Sequence, residues 1–141
     1  MMNFVKTLVL FCLVLLPPSL ATAEVVARVD ISAQTLTLIE NGVAKYVWPV
    51  STARAGKTTP KGTYTADFWS RNHKSSRYNG APMPYSIFFS GNYAVHGTDQ
   101  ISKLGQPASA GCVRLHPDNA AILFEMSRAV GLDQTIIEIV N

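Results

Sequence analysis

Two short strings in this sequence hold the residue types of nucleophilic catalysis: His96-Gly97-Thr98, and Ser109-Ala110-Gly111-Cys112-Val113-Arg114, with 15 residues between the imidazole and the thiol. A thiol attacks only as thiolate, so it needs a base or a positive field beside it. The oxyanion formed by its attack needs backbone N–H donors. His96 is the candidate base and Arg114 the adjacent cation, while Gly111 lets the chain turn its own N–H and that of Cys112 toward a carbonyl oxygen. An imidazolium at His96 would bring the thiol below its ordinary value of about 8.5. Spacing alone does not bring the two together. The alternative is an inert buried Cys, behaving as a small hydrophobe, with His96 held in a structural hydrogen bond.

The chain that must position these groups has 141 residues, 48% hydrophobic and 15% charged, which suits one ordinary domain and excludes a disordered or highly charged adaptor. Its net charge of +3 is dispersed, with no run of four basic residues, so a nucleic-acid partner is not expected. Lys6, the apolar run Leu8 to Leu16, Pro17-Pro18-Ser19 and Ala21-Thr22-Ala23 have the layout of a secretory signal over 1–23. A mature domain over 24–141 and an exported location follow. The apolar run is about half the roughly 20 residues a membrane span needs, so no transmembrane anchor is expected after cleavage. Removing the leader leaves Cys112 as the single thiol, without a partner for an internal disulfide.

Period-two hydrophobicity predicts strands over 25–31, 35–40 and 43–50, with Asn41-Gly42 as a hairpin turn. Further strands are expected over 63–69, 85–89, 93–95 and 135–140, and segments 70–84 and 97–111 read as long loops. One helix is expected from Pro117 to Gly131, presenting Ile122, Leu123, Met126, Ala129 and Val130 on one face. The fold class is therefore mainly β: a single compact sheet-rich domain of about seven strands with one covering helix near its C-terminus. A parallel α/β sheet lacks the helices for its crossovers.

His96-Gly97-Thr98 followed by Ser109-Ala110-Gly111-Cys112-Val113-Arg114-Leu115 resembles the signature of the YkuD-type L,D-transpeptidases of bacterial cell walls. Val50-Ser51-Thr52, Thr59-Pro60-Lys61-Gly62-Thr63-Tyr64 and Ala81-Pro82-Met83-Pro84-Tyr85 are similar to the family's earlier blocks and stand in the same order. The resemblance implies a β-sandwich-like catalytic domain in the periplasm or cell envelope, without metal or cofactor, that transfers acyl groups between peptidoglycan stem peptides through a cysteine thioester. It implies Cys112 as nucleophile, His96 as general base and acid, and the Gly97 carbonyl as orienter of the imidazole. Gly111 and Cys112 would supply oxyanion donors, and Tyr85, Ser109 and Arg114 would line the substrate cleft. A monomer is expected.

Two departures stand out: the family usually has His immediately before the Gly-Cys pair, where Ala110 stands, and the loop between His96 and Ser109 is slightly shorter than usual. His73 reads as a solvated loop residue and His116 as a helix cap; three scattered His and one Cys have no metal-ligand spacing. A sortase, a same-fold hydrolase that gives the thioester to water, and a non-catalytic wall-binding module remain as alternatives.

Overall fold

The computed structural model describes residues 12–18 and 22–141. The expected leader falls mainly on residues 1–11 and 19–21, outside the described residues; 12–18, 22 and 23 are exposed and carry no regular secondary structure. Among the described residues no helix is long and apolar enough to cross a membrane.

The chain is mostly β, 44% strand and 16% helix, in two sheets with one long helix. Strands β1 (Val25–Asp30), β2 (Thr35–Glu40) and β3 (Val43–Pro49) form an antiparallel meander, and β4 (Gly62–Thr65) lies at the opposite edge of the same sheet. Between them β9 (Thr135–Val140) pairs parallel to β1 and antiparallel to β4, giving the order β3-β2-β1-β9-β4. The second sheet runs β5 (Phe68–Lys74), β6 (Pro82–Ser90), β7 (Tyr93–Gly97), β8 (Val113–Leu115), and its last pair is parallel. Helix α1 (Pro117–Val130) packs against β1, β6 and β7.

Alternation builds the core. Val25, Ala27 and Val29 of β1, Leu36 and Leu38 of β2, and Ile137 and Ile139 of β9 face Ile87, Phe89, Val95, Val113 and Leu115 of the second sheet, with Leu123 and Phe124 of α1 closing the cluster. Asn41 and Gly42 both sit at positive φ, the twist a two-residue hairpin needs.

Four expectations are corrected. The single strand over 63–69 is two, because Ala66 donates to the Thr135 carbonyl and Asp67 to that of Phe88, so the chain steps from one sheet to the other within one residue. The loop over 70–84 shrinks to 75–81, since β5 continues through Lys74 and β6 begins at Pro82. Prolines are tolerated there because β7 pairs only with the far half of β6, leaving the Pro82 and Pro84 nitrogens on an unpaired edge. The count of about seven strands rises to nine among the described residues, because the loop expected over 97–111 is followed by the short strand β8, too brief to show periodicity. The buried face of α1 is Ala120, Leu123, Phe124 and Ser127, with Ile122, Met126 and Val130 at its margin. Ser127 lies inside because its hydroxyl bonds Trp69 Nε1 (2.8 Å) and Thr135 Oγ1 (2.7 Å). The helix begins as expected: His116 caps it, its Nδ1 accepting the Asp118 N–H at 3.1 Å.

Candidate active site

The parallel register of β7 and β8 brings the two sequence strings together. Val95 pairs with Val113, His96 with Arg114 and Gly97 with Leu115. Because side chains alternate, Val95, Val113 and Leu115 enter the main core, and His96, Arg114 and the preceding Cys112 share the other face. That face lines an open cleft of about 660 Å³ with Arg54, His73, Tyr78 and Asn92. Fifteen residues of intervening chain are thus closed by one three-residue ladder.

His96 is 5% exposed, and its Nδ1 lies 2.6 Å from the Gly97 carbonyl oxygen. A carbonyl only accepts, so Nδ1 carries the hydrogen and Nε2 keeps its lone pair. Burial pushes the imidazole down to about 4, outweighing the Gly97 carbonyl, which favours the charged form; Arg114 and His73 push the same way as burial. The Cys112 thiol is pushed up by burial, against smaller opposing effects of the Ala94 N–H, 3.4 Å from Sγ, and of Arg114. Its S–H is directed to the Asn92 carbonyl at 3.7 Å. Both shifts favour a neutral imidazole and a neutral thiol at rest over the thiolate beside imidazolium that the residue types suggest.

This has a sign that stability can report. The unfolded chain protonates His96 near its ordinary value of about 6.5, the folded chain only near 4. The stability owed to the neutral ring is complete above about 6.5 and is lost as pH falls toward 4, where the loss reaches about 3 kcal/mol. Urea unfolding of wild type and H96N between pH 7 and 4 should show the extra decline in wild type alone. Parallel declines would show that His96 is freely protonated in the fold.

The oxyanion donors are fewer than expected. The Gly111 N–H is taken by Ser109 Oγ at 3.0 Å, and the same hydroxyl donates to the Cys112 carbonyl at 2.6 Å. Ser109, expected to contact substrate, is 1% exposed and braces the loop that carries Cys112. The Cys112 N–H has no partner among the hydrogen bonds of the described residues. Gly111 sits at φ 138, and a Cβ there would come within 2.4 Å of the Tyr93 ring and 2.9 Å of the Thr58 carbonyl, so glycine is required.

Arg114 stays at the site, its Nη1 3.2 Å from Gln100 Oε1 and its backbone paired with Ser51 in both directions. It makes no ion pair among the described residues. Tyr85 does not reach the cleft. Its ring meets Phe124 of α1 edge-on at 5.6 Å and lies under the Arg71 guanidinium, on the face it shares with Ile87, and its backbone is left-handed at φ 54. That conformation costs an aromatic residue about 1–3 kcal/mol.

The same residue explains why His73 is not the solvated loop residue expected from its polar neighbours. Trp69 and Ile87, and Arg71 opposite Tyr85, lie toward the core and α1, so strict alternation would send the His73–Met83 pair there as well. The left-handed Tyr85 interrupts the phase, and His73 and Met83 face the cleft instead. His73 is half-buried on β5, edge-on to Phe88 at 4.9 Å, with Nδ1 3.2 Å from Ser70 Oγ. Arg54 and Asn92 also escape a reading of the sequence; both lie on connecting segments with no pattern of their own. No group of three His, Cys, Asp or Glu converges as a metal site among the described residues.

Residues 24–139 match the family model of the YkuD L,D-transpeptidase catalytic domain. A Bacillus subtilis (strain 168) protein bearing the L,D-transpeptidase name YkuD is 32% identical over 90 residues, which is 62% of this chain and 51% of that one. Among solved structures, the LD transpeptidase LdtMt1 in complex with imipenem superposes with a TM-score of 0.74 at 26% identity over 84% of this chain and 59% of its own. An L,D-transpeptidase from Stackebrandtia nassauensis gives 0.73 at 26% identity over 86% and 57%. The chain thus spans about half the length of the curated relative and under two thirds of these structures. It belongs to the family of YkuD L,D-transpeptidase catalytic domains.

Proposed function

We propose that residues 24–141 are an exported catalytic domain, freed of a leader over 1–23, that joins peptidoglycan stem peptides by 3-3 cross-links. The donor is a tetrapeptide stem ending in D-Ala. Cys112 Sγ attacks the carbonyl carbon of its third residue while the thiol proton passes to His96 Nε2. The resulting imidazolium is held by the Gly97 carbonyl, and the oxyanion is met by the Cys112 N–H. Collapse breaks the bond to D-Ala, whose amine leaves with the proton from His96, and a thioester remains. The side-chain amine of a second stem then attacks the thioester, gives a proton to His96 and expels the sulfur, which recovers that proton. Arg54 and Arg114, guanidiniums on one cleft wall, suit the terminal carboxylate of the donor.

The observation that supports this best is the shared face of β7 and β8, which puts a fixed-tautomer imidazole and a lone thiol on one cleft wall. Mass spectrometry of stem tetrapeptides incubated with the protein tests it. Third-to-third dimers should appear in step with free D-Ala. Tripeptide without dimers would make the protein a carboxypeptidase, and no change in the stems would leave a wall-binding module.

A further inference from the structure

Thr59 lies outside the cleft, yet it holds the Gly111–Cys112 peptide group next to the thiol. The residue is 4% exposed, and its hydroxyl donates to the Gly111 carbonyl at 2.8 Å and accepts the Ala53 N–H at 3.0 Å. The Gly111–Cys112 peptide is planar and trans, so its C=O and N–H point in opposite directions. Pinning the carbonyl on Thr59 therefore aims the Cys112 N–H away from Thr59. Cys112 and Ala110 line the cleft and Thr59 does not, so that direction is cleftward.

The neighbouring peptide groups are fixed separately. Ser109 takes the Gly111 N–H and holds the Cys112 carbonyl, while the Cys112 N–H, like that of Ala110, has no partner among the hydrogen bonds of the described residues. Gly111, at a φ that side chains rarely adopt, would let this peptide rotate if nothing held it. We infer that Thr59 is a positioning residue that sets the oxyanion donor by holding the Gly111 carbonyl. The inference rests on the acyl-transfer reading of the cleft.

Attack on a carbonyl creates an oxyanion, whereas alkylation of the thiol by iodoacetamide displaces iodide and creates none. A residue that acts only on the oxyanion donor must separate the two reactions. T59V removes the hydroxyl at nearly constant volume, and T59S keeps it. Acylation is followed with stem tetrapeptide and, separately, with imipenem, by intact mass. Alkylation is read at the Cys112 peptide, because Cys12 is also free.

T59V should slow acylation by both donors about 10- to 100-fold while its alkylation stays within about twofold of wild type, and T59S should acylate within about threefold of wild type. Acylation of T59V at the wild-type rate overturns the inference. So does an equal loss of acylation and alkylation, which would mark a general loosening of the loop. If imipenem acylates wild type and the stem peptide does not, the cross-linking reading fails while the imipenem arm still decides on Thr59. A wild type that neither donor acylates overturns both.

Discussion

Cys112→Ala should lower D-Ala release and cross-link formation by about 10⁴-fold or more while the protein stays folded. The loss is large because in the proposed mechanism the sulfur is the atom that forms the covalent bond, and no other Cys lies over 24–141 to replace it. The structural cost is small for the opposite reason. Cys112 sits at the edge of a satellite cluster of Met83, Phe88 and Ala94, away from the main core. Truncating one sulfur there and freeing the Ala94 N–H from its 3.4 Å contact should cost about 1–2 kcal/mol. Thermal unfolding and stem-peptide turnover measured on the same sample separate the two effects. Cross-linking by the Ala variant at the wild-type rate would remove the thiol from the chemistry.

The second large effect concerns His96. With the imidazole pushed down to about 4 and the thiol pushed up, the two groups do not form an ion pair at rest. In the proposed mechanism the proton then moves only as sulfur attacks. Alkylation of wild type by iodoacetamide should therefore rise with pH and pass its midpoint above about 8.5, and His96→Asn should leave that midpoint within about half a unit. Asn can still donate to the Gly97 carbonyl, but it has no lone pair in the place of Nε2. Turnover of stem peptide should fall about 10²- to 10⁴-fold, since in the proposed mechanism both the thiol proton and the departing amine depend on that nitrogen. A wild-type midpoint near neutrality that moves up in H96N would establish a thiolate–imidazolium pair in place of the neutral one.

Much of this site is legible in residue type and spacing alone. His96, Cys112 and Arg114 stand out because thiol chemistry needs few kinds of partner and the Gly-Cys string offers them locally. The strands with buried alternation, β1, β2 and β9, and the capped helix are equally plain. What escapes is set by contacts over long sequence separation. Nothing in the string near 111 says that its N–H is consumed by Ser109, or that its carbonyl is held from Thr59, 52 residues earlier. His73 is hidden by a polar strand, and the phase slip at Tyr85 that turns it to the cleft is a backbone conformation which an aromatic residue does not advertise. The neutral resting pair is illegible for a similar reason: burial outweighs Arg114 at Cys112, and burial arises only once the sheets are packed.

The most direct measurement is the intact mass of wild-type protein mixed rapidly with tetrapeptide donor and no acceptor. The mass should rise by that of the donor less D-Ala, the adduct should map to the peptide containing Cys112, and neutral hydroxylamine should remove it as it does a thioester. D-Ala released at the full rate with Cys112 unmodified throughout would contradict a thioester on this residue.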